Sequence, residues 1–348
     1  MLLLSDYKSN YLCLMFSKKE LIHIFSELSS RISPTNLEIE HAIRQSYVNN
    51  NWLTIENYWK SLLHWKNLLS EESLNDFLID YTPTRNPKKI GIIMAGNIPM
   101  VGFHDLLCTL LMGHILQIKQ SSDDKHVIPV LTNLLIEIEP RLVNRIQYVD
   151  RLKNSDAVIA TGNNNSYRYF ETYFKHMPSL LRKNRKSIAV LDGSESTDDL
   201  KLLASDILTY FGLGCRNVSQ IYIPKGFTIE KLLDEVMDYK DLINHNKYAN
   251  NYTYHRALLL MNSEKHLDTG FLLFKKQLNI HAPLACVHYD EYQSSQEISD
   301  FIEQNKEQIQ CVVGNYSSTN TVAFGQTQWP DLKQFADNIN TLDFLSTV

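Results

Sequence analysis

The chain has 348 residues, 44% hydrophobic and 21% charged, enough to bury a large core and to divide it between two lobes. A formal net charge of −5 argues against a nucleic-acid surface, and no apolar stretch approaches the roughly 20 residues that span a bilayer. Five cysteines, widely spaced and without a CxxC pair, argue against a disulfide framework and fit reduced thiols in a cytoplasmic protein.

Residues 1–86 read as a helical segment. The opening Met1-Leu2-Leu3-Leu4 lacks the charged leader and long apolar run of a signal peptide. Met15, followed by Phe16-Ser17-Lys18-Lys19-Glu20, is the more natural helix entry, so the first 14 residues read as a loose extension. Leu21, Ile24, Phe25 and Leu28 share one helical face, and Ser33-Pro34-Thr35-Asn36 ends that pattern. A second helix is expected over 37–48. A third sets Tyr58, Leu62, Trp65 and Leu69 at three-to-four spacing, a core stripe more than a ligand box.

The texture changes at Pro87. Strands are expected over 89–95, 114–119, 146–149 and 157–160, alternating with helices over 103–112, 126–138 and up to 176. Such alternation implies βαβ units on a parallel sheet, here a lobe over 87–186. The basic run Arg182-Lys183-Asn184-Arg185-Lys186 reads as a solvated turn. The pattern resumes in a second lobe, 187–348, with a strand over 188–191, a helix over 197–211, a glycine-bearing loop and a strand over 220–223. Beyond it lie a helix over 228–237, a Tyr/Asn-rich segment over 247–254, and apolar strands over 257–261, 285–288 and 309–313. The C-terminal tail is expected either to return to the first lobe or to form an oligomer contact.

Cys215 is the candidate nucleophile. It stands in Phe211-Gly212-Leu213-Gly214-Cys215-Arg216-Asn217-Val218-Ser219, where two glycines permit tight backbone geometry and leave the sulfur approachable. Arg216 beside it favours the thiolate, the reactive form. The bland alternative is a buried structural cysteine, the reading that suits Cys108, Cys286 and Cys311 in their apolar surroundings. The 12 histidines show no ligand spacing, and no metal is expected. His104-Asp105 heads a helix, where Asp105 favours the dipole.

Four segments follow in order: Gly91-Ile92-Ile93-Met94-Ala95-Gly96-Asn97-Ile98-Pro99, Ile118-Lys119-Gln120-Ser121-Ser122, Ala160-Thr161-Gly162-Asn163, and the Cys215 loop. Together they resemble the aldehyde dehydrogenase superfamily and, within it, the long-chain acyl-CoA reductase family of bacterial bioluminescence. The likeness runs from about residue 88 to the end, including Lys247-Tyr248-Ala249-Asn250-Asn251-Tyr252 and Phe324-Gly325-Gln326-Thr327-Gln328. It implies an α/β fold of two Rossmann-like parallel-sheet lobes under an N-terminal helical layer, with dinucleotide bound by 87–186.

The resemblance also implies roles. Cys215 attacks a thioester, and Asn97 and the Cys215 N–H are the oxyanion donors. Gly162 and Asn163 open a helix whose N-terminus receives a pyrophosphate, although a glycine closing a βα turn is the bland reading. Lys119 contacts the adenosine ribose. Ser122 stands where NAD-preferring relatives carry a glutamate, which favours NADPH, while Asp123 and Asp124 oppose that reading. The base-bearing Glu-Leu-Gly-Gly motif of oxidising relatives corresponds to Val190-Leu191-Asp192-Gly193-Ser194, in which Asp192 is a weak acid/base candidate or a turn residue. The glutamate that often contacts the nicotinamide ribose has no clear match near Ala282-Pro283-Leu284. The expectation is NADPH-dependent reduction of a long-chain acyl-CoA or acyl-protein thioester to the aldehyde, by a homo-oligomer or with an acyl-transferring partner enzyme. The rivals are an oxidising aldehyde dehydrogenase and a non-redox acyl-thioester binder.

Overall fold

The structure, a computed structural model, describes residues 15–162, 164–315 and 321–348. Asn163, Cys13 and the rest of the first 14 residues lie outside them. The chain forms two compact units, one reaching to Lys183 and taking up Asp331–Val348 again, the other Asn184–Pro330.

In the first unit, α1 (Lys18–Arg31) starts at Ser17, whose hydroxyl accepts the Glu20 N–H while the Glu20 carboxylate accepts the Ser17 N–H. This is the helix entry expected after Met15. Helices α2 (Leu37–Asn49), α3 (Ile55–Leu68) and a short α4 (Glu71–Phe77) follow. Phe25, Leu28, Ile43, Tyr58 and Leu62 are fully buried in one core with Leu106, Leu107, Leu116 and Ile118. The helical layer is therefore one wall of the sheet that comes next.

That sheet contains β1 (Lys89–Ile93), β2 (Ile115–Lys119), β3 (Ile146–Tyr148), β4 (Ala157–Thr161) and β5 (Ser179–Arg182). The intervening helices are α5 (Phe103–Leu111), α6 (Val127–Ile138) and α7 (Asn164–Phe174). The strands pair in parallel in the order β3-β2-β1-β4-β5. The chain winds outward from β1 to β3, then crosses to β4 on the other side. Strand ends diverge at such a reversal, and a ligand crevice opens outside their carboxyl ends.

Asp105 is more than a dipole partner for α5. It is 1% exposed and accepts two hydrogen bonds of 2.6 Å from Arg182 at the end of β5. Arg182 also donates to Thr341, which opens the C-terminal helix Thr341–Ser346. The basic run beginning at Arg182 is thus not the solvated turn expected. Arg185, 7% exposed in the second unit, donates to the carbonyls of Lys306 and Ile309.

The second unit begins with β6 (Lys186–Val190), α8 (Thr197–Leu208), β7 (Val218–Pro224), α9 (Glu230–Val236) and α10 (Asn246–Met261). Next come β8 (Leu267–Asp268), β9 (Leu273–Lys276), β10 (Cys286–Tyr292), α11 (Ser295–Gln304), β11 (Ile309–Val313) and β12 (Thr321–Val322). The sheet order is β12-β11-β6-β7-β10-β9-β8, parallel except for β8 against β9. The expected strand over 257–261 is instead the end of α10. Ala, Leu and Met are strong helix formers, and Leu260 and Met261 are exposed, so no sheet claims them. The fold class is as expected, α/β with parallel sheets. No described helix is long and apolar enough to cross a membrane.

Candidate active site

Two sets of residues matter, one on each unit. In the first unit, the chain leaves β1 through Met94 to Pro99 and re-enters a helix after Met100 and Gly102, which take left-handed φ of 64° and 89°. Gly96 lies against the loop after β2: a Cβ there would meet Ser121 Oγ at 2.7 Å and the Asp124 N at 2.9 Å. The helical layer props both loops. Asn50 Nδ2 donates to the Gly96 carbonyl (3.3 Å), Asn49 Nδ2 to that of Ser122 (2.9 Å), and the Tyr58 hydroxyl to Asp124. Burial pushes the Asp124 carboxyl up to about 6, with Tyr58 opposing.

Asp124 is therefore turned into the core, while Ser122, Asp123 and Lys125 are exposed and Lys119 is half-buried at the end of β2. In register, Ile93 of β1 stands beside Lys119 on one side and Ala160 on the other. Gly162 follows β4 directly. A Cβ there would meet Ser166 Cβ at 2.8 Å and Phe170 at 3.0 Å, so α7 can pack over the strand end only because this residue is glycine. The structure gathers Asn97, which is exposed, Lys119, Ser122 and Gly162 at the carboxyl ends of three adjacent strands.

In the second unit, the helix expected over 197–211 stops at Leu208. Tyr210 and Phe211 adopt φ of 53° and 60°, and the chain turns through Thr209–Gly212 into the thiol loop. Asn217, 1% exposed, holds that loop. Its Oδ1 accepts the Gly214 N–H (2.8 Å), and its Nδ2 donates to the carbonyls of Asp206, Ile207 and Thr209. Those carbonyls belong to the last turn of α8 and to the residue that ends it, Thr209, where no intrahelical donor is left for them. Ser187 Oγ donates to the Cys215 carbonyl (3.2 Å), and Lys186 Nζ donates to those of Gly212 (3.3 Å) and Gly214 (3.4 Å). Ser187 pairs with Val218, so half-buried Cys215 sits at the edge where β6 and β7 begin.

Asp192 is at the other edge. Val190 pairs with Tyr222, and Asp192 lies five positions beyond Ser187, about 16 Å along extended chain. The Asp192 carboxylate accepts the Ser194 N–H (2.8 Å) and hydroxyl (2.6 Å), which hold its pKa down. It is a turn residue. The segment level with the thiol is Asn184–Ser187, which contains no carboxylate.

Sequence reasoning missed Lys186, Ser187, Asn217 and Asp206. Asp206, 1% exposed, accepts the N–H groups of Gly325 (2.7 Å) and Thr327 (3.0 Å) and the Thr327 hydroxyl (2.8 Å). It thereby ties the Phe324–Gln328 segment to α8, and burial pushes its carboxyl up to about 6. Beside the thiol loop is a cavity of about 160 Å³ lined by Lys186, Phe211, Tyr248, Leu272, Pro283 and Cys286 among others. The buried Tyr248 hydroxyl has no hydrogen-bond partner among the described residues.

The other described thiols are free but poorly ionised. Burial pushes Cys286 up to about 12 and Cys311 to about 11, and raises Cys108 further from its ordinary value. At pH 8 a thiol of pKa 12 is ionised to on the order of one part in ten thousand. Brief iodoacetamide treatment at pH 8 should therefore label Cys215 and leave Cys108, Cys286 and Cys311 unmodified, read by peptide mass spectrometry. Faster labelling of Cys286 would contradict this.

Two parallel-sheet units of this kind define an aldehyde dehydrogenase-like fold. A putative aldehyde dehydrogenase from Burkholderia cenocepacia is similar with TM-score 0.62 and 13% identity, over 81% of this chain and 71% of that one. An acetylating aldehyde dehydrogenase from Geobacillus thermoglucosidasius gives TM-score 0.63 at 10% identity, over 95% and 88%. An aldehyde dehydrogenase from Bacillus cereus, solved as an NAD+ complex, gives 0.61 at 11%, over 86% and 72%. No curated protein matches the chain in sequence. Within this class, residues 54–240 match the acyl-CoA reductase (LuxC) family, and the chain belongs to it. It is an oxidoreductase acting on an aldehyde or acyl group.

Proposed function

We propose that the protein reduces a long-chain acyl-CoA, or an acyl-protein thioester, to the aldehyde with NADPH, through an acyl-enzyme on Cys215. The observation that supports this most is the Cys215 loop. Its carbonyls are taken up by Lys186 and Ser187, and the strand start level with it bears no carboxylate. An oxidising dehydrogenase needs a base there to activate water against the thioester. A reductase must keep water from that bond, so the missing base favours reduction.

The Cys215 thiolate attacks the acyl carbonyl carbon, and the carbonyl electrons move to oxygen. Asn97 is the side-chain donor to that oxyanion implied by the resemblance, with the Cys215 N–H as the second donor. When the oxyanion collapses, the bond to the carrier sulfur breaks, and the carrier leaves as thiolate and takes a proton from water. The first unit suits a dinucleotide: its strand order reverses between β1 and β4, and Gly162 lets α7 present its N-terminus at that edge. Bound there, NADPH supplies the hydride by which the acyl group leaves Cys215 as aldehyde. Lys119 contributes positive charge, and Ser122 offers a neutral hydroxyl that does not repel a 2′-phosphate. Asp124, turned under Tyr58, is withdrawn from that contact.

The test is single-turnover labelling. Protein mixed with radiolabelled tetradecanoyl-CoA and quenched is expected to hold hydroxylamine-labile label, which NADPH chases into tetradecanal. Absence of label at every chain length, or release as free acid only, overturns the proposal.

A further inference from the structure

We infer that Lys186 is a positioning residue for the nucleophile: it fixes the carbonyls that precede Cys215 and supplies the positive charge that holds the sulfur as thiolate. The inference rests on the reading of Cys215 as nucleophile. Arg216, adjacent in sequence, is the cation expected from the sequence; Lys186, from β6, is a second cation bound to the loop. Its Nζ reaches the carbonyls of Gly212 and Gly214, the second of them directly before the thiol.

Lys186 is poorly explained as a structural residue. Burial pulls its pKa below the ordinary lysine range, and the group that opposes the fall is Cys215. Among the described residues no carboxylate pairs with it, and its two carbonyl bonds are long. A half-buried ammonium held so loosely carries a desolvation cost that a methionine or glutamine would avoid. Electrostatic interaction between two titrating groups is reciprocal, so the ammonium that Cys215 favours in turn favours the Cys215 thiolate. Arg216 acts on Cys311, lowering its pKa against the dominant effect of burial. The other titratable groups of this unit around the loop include Cys311, Cys286, Asp206, Tyr239, Tyr248, whose ring lies 6.1 Å from that of Phe211, and His245, whose ring lies 4.6 Å from it. Cys286 and Cys311 are held protonated near neutrality, and the Asp206 carboxylate is engaged by Gly325 and Thr327.

The experiment is the pH profile of Cys215 alkylation by iodoacetamide, read by peptide mass spectrometry, in wild type, Lys186→Gln and Lys186→Met. Glutamine keeps an N–H donor for the loop carbonyls and removes the charge; methionine removes both. At pH 7 the Lys186→Gln protein is expected to react about tenfold more slowly than wild type, one pKa unit. The two rates should converge above pH 10, where every thiol is ionised. Lys186→Met should show the same displacement or a larger one, and if it fails to fold, Lys186→Gln decides alone. A Lys186→Gln profile superimposable on wild type overturns the inference. So does a slowing equal at every pH, which marks lost access instead of a raised pKa. Acyl labelling reads the nucleophile separately: if no acyl group reaches Cys215 while the alkylation profiles differ as expected, the Cys215 reading fails and the electrostatic pairing stands.

Discussion

Replacing Cys215 by alanine is expected to abolish covalent acyl labelling and to lower aldehyde formation by about 10⁴ or more, the scale on which loss of a nucleophile acts. The fold should survive. The loop is held by Asn217 through the carbonyls of α8, by Ser187 through the Cys215 carbonyl and by Lys186 through two more, and none of these bonds uses the sulfur. The unfolding midpoint should stay within about 3 °C of wild type, since one half-buried sulfur is worth about 1 kcal/mol at most. Cys215→Ser should be nearly as inactive, because an alcohol does not ionise near neutrality. Asn97→Ala should differ in kind: label still forms, but its appearance slows by about 10²–10³, as when one oxyanion donor is removed. Label retained on the alanine variant would refute the mechanism, and unchanged labelling kinetics in Asn97→Ala would remove Asn97 from it.

What the sequence displayed well was the punctuation of the strand ends. Gly96-Asn97-Ile98-Pro99 after β1, Gly162 after β4 and Gly212 before Cys215 mark positions where backbone comes too close for a Cβ or turns too tightly for one. Such local geometry is written in residue type, and the contacts that a Cβ would meet at Gly96 and Gly162 bear it out. The residues that hold these loops were hidden, because their partners are far away in the chain. Asp206 looks like an ordinary helix residue until it meets Gly325 and Thr327, 119 and 121 positions on. Asn217 reads as a loop asparagine, although it closes the end of α8. The strand expected over 257–261 failed for another reason. An apolar run of Ala, Leu and Met shows no period, and its exposure on α10 is settled by the absence of a neighbouring strand. Asp192 misled through composition alone: an acid followed by glycine resembled the motif, while strand register puts it at the opposite edge from the thiol.

The Asp105–Arg182 pair gives the largest stability effect to expect. Asp105→Ala should destabilise the protein by about 3–5 kcal/mol, because it removes the carboxylate bonded to the buried Arg182 guanidinium and leaves only the through-space attraction of Asp337. The side chains are 6% and 1% exposed, so water cannot replace the lost carboxylate. Arg182 Nε already lacks an acceptor, which leaves the remaining bond, to Thr341, to satisfy the whole group. Added salt should not rescue the variant, since an enclosed pair is screened far less than a surface one. A matched apolar replacement should do so: Asp105→Leu with Arg182→Met removes both desolvation costs and is expected to recover most of the loss. Urea unfolding of wild type, Asp105→Ala and the double variant measures both effects. A single variant within about 1 kcal/mol of wild type, or a double variant no better than Asp105→Ala, would contradict the argument. Activity should follow stability in this series, because Asp105 lies in the first turn of α5 and that helix begins where the Asn97 turn ends. An anchor 77 residues away on β5 thus holds the entry of α5, and through it the backbone that presents Asn97.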